Sequence, residues 1–448
     1  MANLKQQTKR AVGICGSRVA IISLLLVCFV FPNSQSFPPA YADSPDSPTV
    51  STTAPAGRLA VFDEVWQTVY DRYYDPSFHG VDWWAKRAQF RQLAATAQDS
   101  TELYSILRRL LGLLRDAHTR VYAPEQKFDW EHPRFVTVGL SLREVQGRIT
   151  AFRVERGSEA ERRGIRAGDV VQTIDGQDAL MLWTRKLSEQ NESSTPQVTR
   201  LFAFASLTDG IPGTSIAIEW LNAHGKIHRA NLQRHWQQRA LGVRISKHDG
   251  IAVVELEGFT RSAVNEFFRE VLPRLDKARG MVIDLRNNGG GEAQAMAEMA
   301  GAFLPPTTAL GQFTDRQGNV SLRLEAGIPL LFGAKRNRPL EIPIVILAGP
   351  RTSSAAEIFL EAMKQTGRAT VLGDSTCGCV LAVRTRHALP DGGELEVSEL
   401  DYHTASGVRL EGSGIAPDEI VGLTRRDLYD RKDNALLLAL ARINSHRR

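Results

Sequence analysis

The stretch Pro343-Ile-Val-Ile-Leu-Ala348, Gly349-Pro350, Arg351-Thr-Ser-Ser354-Ala-Ala-Glu-Ile358 decides the fold. Its first six residues form a short apolar, β-branched run, the mark of a buried strand. Ala355 to Lys364 has the spacing of an amphipathic helix, and Gly349-Pro350 marks the turn between the two. A serine on such a strand-to-helix turn exposes its hydroxyl at the strand end. Its backbone then lies beside the unpaired N–H groups of a helix N-terminus, which can stabilise an oxyanion. The same residues also satisfy S-x-x-E, a capping box in which Ser354 closes the helix and Glu357 reaches back to it, with no chemistry implied. Taken alone, the segment leaves both readings open.

Outward from this turn, strand and helix patterns alternate. Ile251–Leu256 is a strand and Ser262 to Leu275 a helix; Met281–Arg286 is a strand running into Asn287-Asn-Gly-Gly-Gly291. A helix through Ala293 to Phe303 and a strand at Thr370–Leu372 follow. Repeated βα units predict a largely parallel α/β layer. Val380–Ala388 and Glu394–Tyr402, joined by Pro390-Asp-Gly-Gly393, read as a hairpin. In Asp284-Leu-Arg-Asn-Asn-Gly-Gly-Gly291, three glycines where a strand enters a helix let backbone N–H groups face a reacting oxygen without side chains in the way. A phosphate loop is the weaker reading, because no Gly-Lys-Ser/Thr follows.

Towards the N-terminus the character changes. At 448 residues the chain exceeds one ordinary domain, and two or three are expected. Of the net charge of +5, four units lie in residues 1–42 (Lys5, Lys9, Arg10, Arg18, with no acid), so the rest is nearly neutral and no basic tract suggests a nucleic-acid partner. That basic stretch precedes the apolar run Val19–Phe31 and Ala40-Tyr-Ala42, the pattern of a signal peptide cleaved after Ala42. Export, to a periplasm or similar compartment, is therefore expected, with no membrane span left once the signal is removed. Residues 43–57, rich in Ser, Thr and Pro, read as a disordered linker. Residues 58–130 read as a helical region, from Leu59, Phe62, Val65, Trp66 and Val69 at three- and four-residue spacing and then Leu103, Leu107, Leu110, Leu111 and Leu114. Only Cys377 and Cys379 remain after the signal. A C-x-C disulfide is cramped, and two cysteines without clustered histidines make a poor zinc site, so structural thiols are expected and no metal.

Between 136 and 235 the pattern is a small β domain. Gly139-Leu-Ser-Leu142, the strand Ile149–Val154, the short helix Ser158–Gly164 and Ile165-Arg-Ala-Gly-Asp-Val-Val-Gln-Thr-Ile-Asp-Gly176 together resemble a PDZ domain. The resemblance implies that Gly139, Leu140, Ser141 and Leu142 form the loop that catches a peptide's C-terminal carboxylate, the peptide adding as a strand to an open edge.

This segment, D-L-R-N-N-G-G-G, S-S-A-A-E-I and Gly414-Ile-Ala-Pro-Asp418, in this order, resemble the C-terminal processing (tail-specific) serine peptidases over about residues 58 to 425. The resemblance implies an α/β fold: a crotonase-like (ClpP/crotonase) catalytic domain at 240–448, an inserted PDZ-like β domain and an N-terminal helical region. It implies hydrolysis of protein or peptide substrates with apolar C-termini, without cofactor. The family's nucleophile falls on Ser354, and its oxyanion donors fall on the N–H groups of Gly290 and Ala355.

Two positions depart from the main branch. Where that branch has a Ser/Lys dyad with the lysine in Thr-Phe-Gly-Lys-Gly, this chain has Thr376-Cys-Gly-Cys-Val380, with Cys379 in the lysine's place. Gln365 stands where an aspartate is usual. In the related tricorn-type branch a histidine is the base and a glutamate near the C-terminus orients the network. The matching residues are His118, in Arg115-Asp-Ala-His-Thr119, and Glu411. Imidazole suits that role because its ordinary pKa of about 6.5 lets it take and return a proton near neutrality. His387 and His403 are rival bases, and Cys379 lacks an oxyanion hole of its own. A catalytically inactive peptide-binding, or hydrophobic-ligand-binding, protein on the same scaffold is the alternative.

Overall fold

The computed structural model describes residues 49–126, 134–189, 193–238, 242–327 and 338–445; the expected signal peptide and residues 43–48 of the linker lie outside them. At the centre is a six-stranded sheet in the order Val243–His248, Ile251–Leu256, Gly280–Asp284, Ile344–Ala348, Thr370–Gly373, Glu419–Ile420. Its first pairing is antiparallel and the other four are parallel. Apolar runs suit this layer because both faces are covered. Ile344, Ile346 and Ala348 join the larger core with helices Ala293–Ala300 and Ala355–Gln365. Val345 and Leu347 pack on the other face with Ala435, Ala439 and Ile443 of the C-terminal helix Asn434–Ser445.

A second, antiparallel sheet holds Arg120–Tyr122, Glu394–His403, Ala309–Thr314 and Val320–Glu325, with Ala382–Ala388 also paired to Glu394–His403. The helices Pro55–Arg72, Trp83–Thr96 and Ser100–Leu111 bury Phe62, Trp66, Trp83, Leu103 and Leu107 in a core that includes Leu395 and Val397 of this sheet. The linker reading needs correction at its end. Helix begins at Pro55, a residue whose fixed φ and missing N–H suit the first turn. The expected single helix over 262–275 is also divided. Regular helix covers Arg261–Glu266, a wider turn follows at Phe267–Val271, and a tighter one covers Leu272–Lys277, where Pro273 donates no hydrogen bond.

The intervening β domain has its own core, around Leu142, Ile149, Ile174, Ile218 and Trp220. Its sheet runs Leu140–Val145, Arg148–Val154, Val170–Ile174, Ser215–Leu221, Ile227–Gln233, with Gln177–Asp178 paired to the third strand. The chain enters and leaves as one antiparallel ladder, Arg134–Thr137 against His235–Gln238. Among the described residues, Leu140–Val145 is paired on one side only, and helix Pro196–Ala205 packs against it.

Candidate active site

The serine turn is tied to its neighbours before any chemistry is considered. Thr352 Oγ1 donates to the Leu285 carbonyl at 2.8 Å and accepts the Gly349 N–H at 3.1 Å, while the Ser353 N–H donates to the Asn288 carbonyl at 3.1 Å. Ser354 itself is half-buried, with φ +56° and ψ −127°. An ordinary N-cap residue is extended. A serine at positive φ instead carries backbone strain, on the order of 1–3 kcal/mol, which persists only where surrounding contacts enforce it. Its N–H donates to the Cys379 carbonyl at 2.8 Å and to Glu357 Oε2 at 3.2 Å.

The glycine run lies directly against this turn. Gly290 has φ +94°, and a Cβ there would sit 2.7 Å from Ser354 Cβ, 2.9 Å from the Ser353 carbonyl oxygen and 3.1 Å from the Ala355 nitrogen. Only glycine permits this approach. Among the described residues the Ala355 N–H has no protein acceptor, whereas the Gly290 N–H donates to Asn288 Oδ1 at 2.9 Å. Of the two expected oxyanion donors, one is free and the other is occupied by a neighbouring side chain. Asn288 is fully buried and its Nδ2 has no partner.

Glu357 is more than half of a capping box. It is fully buried, and besides the Ser354 N–H it accepts Thr376 Oγ1 at 2.5 Å, the Gly378 N–H at 2.7 Å and the Cys379 N–H at 2.9 Å. Burial pushes its carboxyl up to about 7, against the opposing pull of these donors. One carboxylate thus fastens the T-C-G-C loop to the serine turn. The expectation of free thiols is corrected here: Cys377 and Cys379 form a disulfide. Gly378, at φ +69°, supplies the left-handed turn between them. Gln365 is exposed, bonds Glu361 and Ser406, and takes no part in this cluster.

Glu411 closes the far end of the same loop. It is buried and accepts the Val380 N–H at 2.7 Å and the Leu381 N–H at 3.2 Å. Its carboxyl is pushed up to about 8, first by burial and further by Asp116, while the Val380 and Leu381 N–H groups hold it down. His118 comes from the segment organised by Asp116, whose carboxylate accepts the His118 N–H at 2.6 Å, the Thr119 N–H at 3.0 Å and Ser398 Oγ at 2.9 Å. The His118 ring is pushed down to about 4 by burial, opposed by Asp116, and its Nδ1 is enclosed without a partner. No hydrogen bond joins the ring to Ser354 or Glu411 among the described residues. Ala117, however, packs against Cys377 and Cys379, so the histidine segment borders the loop that carries the Ser354 contact.

The rival histidines lie on the hairpin. His387 Nε2 is 3.5 Å from Glu399 Oε1, and His403 is paired across the sheet with Gln312. In the β domain, Gly139 has φ +75°, and a Cβ there would lie 2.3 Å from Ser158 Cβ. Leu140, Ser141 and Leu142 begin the edge strand.

A model of peptidase family S41 matches residues 250–421, the span that contains the glycine run, the serine turn, the disulfide loop and Glu411. Residues 250–421 are an S41 peptidase domain. A model of the tricorn protease C1 domain matches residues 55–112, the N-terminal helices. A carboxyl-terminal-processing protease of Picosynechococcus is 27% identical over 369 residues, covering 80% of this chain and 82% of the relative. The Synechocystis protein of the same description is 26% identical over 373 residues, covering 80% and 79%. Among solved structures, the photosystem II D1 C-terminal processing protease aligns with a TM-score of 0.52 at 24% identity, covering 82% of this chain and 93% of that one. Mature CPAF complexed with lactacystin aligns with a TM-score of 0.65 at 14% identity, covering 87% and 99%. At these identities the structures show a shared fold of mixed α/β content. Family and relatives together support a carboxyl-terminal-processing serine protease. No helix among the described residues is long and apolar enough to cross a membrane.

Proposed function

We propose that this protein, with its S41 peptidase domain, is an exported endopeptidase that captures the ends of polypeptides and hydrolyses a nearby peptide bond, with Ser354 as nucleophile, His118 as general base and Glu411 as supporting carboxylate. The observation that carries the reading is the strained backbone of Ser354, held against Gly290 and beside the free N–H of Ala355. Ser354 Oγ attacks the scissile carbonyl while His118 takes its proton; the oxyanion is received by Ala355 N–H and by Gly290 N–H once Asn288 Oδ1 yields it. Collapse of that intermediate sends the proton to the leaving amine and leaves an acyl-enzyme, which water opens by the same steps in reverse order. The ring must move to engage Ser354. Unliganded sites often hold such contacts loosely.

On this reading the catalytic layer is crotonase-like and the inserted domain PDZ-like. The one-sided edge of Leu140–Val145 and the helix Pro196–Ala205 beside it are suited to adding a peptide strand, its carboxylate at Gly139–Leu142. Export accords with the basic and apolar N-terminal stretch and with a disulfide, a bond that persists in oxidising compartments.

A fluorophosphonate probe tests the assignment. Labelling of the wild type that is abolished in Ser354→Ala and reduced by orders of magnitude in His118→Ala is expected. No labelling of folded wild type would instead favour the second reading, a peptide- or hydrophobic-ligand-binding protein. That reading is motivated by Cys379 in the lysine's place and by a histidine ring not bonded to Ser354.

A further inference from the structure

We propose that Cys377 and Cys379 are positioning residues of the acylation step, their disulfide locking into one conformation the short loop that braces the Ser354 turn. The inference rests on the Ser354 assignment above and adds to it two side chains that the mechanism does not use. Residues 375–381 are neither helix nor strand, yet every backbone N–H and carbonyl of Cys377, Gly378 and Cys379 is engaged. The Cys377 N–H donates to the Thr352 carbonyl at 2.9 Å, and the Cys379 carbonyl accepts the Ser354 N–H at 2.8 Å, so the loop grips the serine turn at both ends. Between these contacts the Gly378 and Cys379 N–H groups donate to Glu357 at 2.7 and 2.9 Å. The Gly378 carbonyl accepts the Gly412 N–H at 2.9 Å, next to Glu411, and the Cys377 carbonyl accepts Thr195 Oγ1 of the inserted domain at 2.6 Å.

These partners come from separate segments, and one arrangement of the loop meets them together. Its central residue is a glycine at φ +69°, the residue type with the most backbone freedom to lose. A bond between the two flanking side chains removes that freedom in advance. The sulfurs have a second effect. Both cysteines are buried with Ala117, Val198 and Phe202, so the ring fills the apolar contact between the stretch leading into His118 and the helix Pro196–Ala205. Opening the ring leaves two separate thiols and a free glycine hinge. The Ser354 hydroxyl can then shift relative to the glycine run and to the His118 segment.

The test measures the fluorophosphonate acylation rate per folded molecule of the full chain, for wild type, Cys377→Ser, Cys379→Ser and the double variant. Each should acylate about 10- to 100-fold more slowly than wild type, the scale of a slightly misplaced group. Because all three break the same ring, the double variant should lie within about threefold of either single one. Closure of so short a loop constrains the unfolded chain little, so the denaturant midpoint should move only slightly. Should the serine variants fail to fold, wild type reduced by dithiothreitol carries the same expectation. The dithiol supplies two electrons and two protons, leaves as its own cyclic disulfide, and yields two thiols that iodoacetamide counts by mass. Reoxidation with glutathione disulfide should restore the rate. Folded serine variants or reduced protein that label within about threefold of oxidised wild type overturn the positioning role, even where the midpoint falls. A double variant whose loss is the product of the two single losses overturns it too, because the cysteines then act as independent packing groups. Oxidised wild type that takes no label refutes the Ser354 reading itself, and the inference falls with it.

Discussion

Replacing Gly290 by alanine is the sharpest single perturbation of the site. At φ +94° any side chain carries a backbone penalty of about 1–3 kcal/mol. The added Cβ would also lie 2.7 Å from Ser354 Cβ, inside ordinary van der Waals contact by about 0.8–1.3 Å. Neither partner is a flexible end. The Gly290 carbonyl accepts the Phe259 N–H at 2.8 Å, and the serine turn is fixed by Thr352, Asn288 and Cys379. Relief therefore requires the glycine run and the turn to separate, which moves both oxyanion donors relative to Ser354 Oγ. Loss of one well-placed donor lowers turnover about 10²–10³-fold, and a displacement near 1 Å about 10²-fold. Gly290→Ala should therefore acylate with fluorophosphonate at least about 10²-fold more slowly than wild type, while unfolding in denaturant about 1–3 kcal/mol more easily. Gly422→Ala, where a Cβ meets nothing within 4 Å, is the neutral control. A Gly290→Ala enzyme labelled within about threefold of wild type, with unaltered stability, would refute the oxyanion geometry derived from this contact.

Three other outcomes are expected. Ser354→Gly should be more stable than Ser354→Ala by about 1 kcal/mol in denaturant titrations, because glycine alone is at ease at φ +56°; equal midpoints would argue against strain at the proposed nucleophile. Glu411, pushed up to about 8 from its ordinary 4.5, binds its proton more tightly in the folded state, so its contribution to stability is complete below about pH 4.5 and is lost as pH rises through 8. The stability of wild type relative to Glu411→Gln should accordingly fall over that window by on the order of 5 kcal/mol, and a flat difference would contradict the buried carboxyl. Gly139→Ala, with its Cβ 2.3 Å from Ser158, should weaken binding of C-terminal peptides about tenfold or more, measured by fluorescence anisotropy, while fluorophosphonate labelling stays at the wild-type rate; retained peptide affinity would remove that loop from the docking model.

The sequence was most readable where burial is uniform and turns have special residues. Ile344–Ala348 is apolar throughout because both faces of its sheet are covered, and Gly290 stands where only glycine fits. The strands Ala309–Thr314 and Val320–Glu325 escaped notice because they mix polar and apolar residues, with Gly311 breaking the first. Glu357 was legible as a helix cap but not as the hub of the loop. Its partners Thr376, Gly378 and Cys379 lie 19 to 22 residues away, where a local motif has no reach. The Cys377–Cys379 disulfide is hidden by its short spacing, which the left-handed turn at Gly378 makes passable.

The absence of lysine at position 379 therefore has a narrower consequence than the loss of a side chain suggests. Cys379 still gives its carbonyl to the Ser354 N–H and its own N–H to Glu357, while its sulfur joins Cys377. The loop keeps its grip on the serine turn through backbone atoms, and only the proton acceptor is lost. An imidazole pushed down to about 4 is uncharged at neutral pH, but it is too weak a base to draw a proton from serine efficiently. To serve near pH 7 it must gain about three pKa units, roughly 4 kcal/mol of preferential stabilisation of the imidazolium. Asp116 already supplies part of the needed negative field, and Glu411, whose carboxyl is pushed up to about 8, supplies more only when it ionises. On the proposed mechanism, activation of the base and ionisation of Glu411 are then one coupled event.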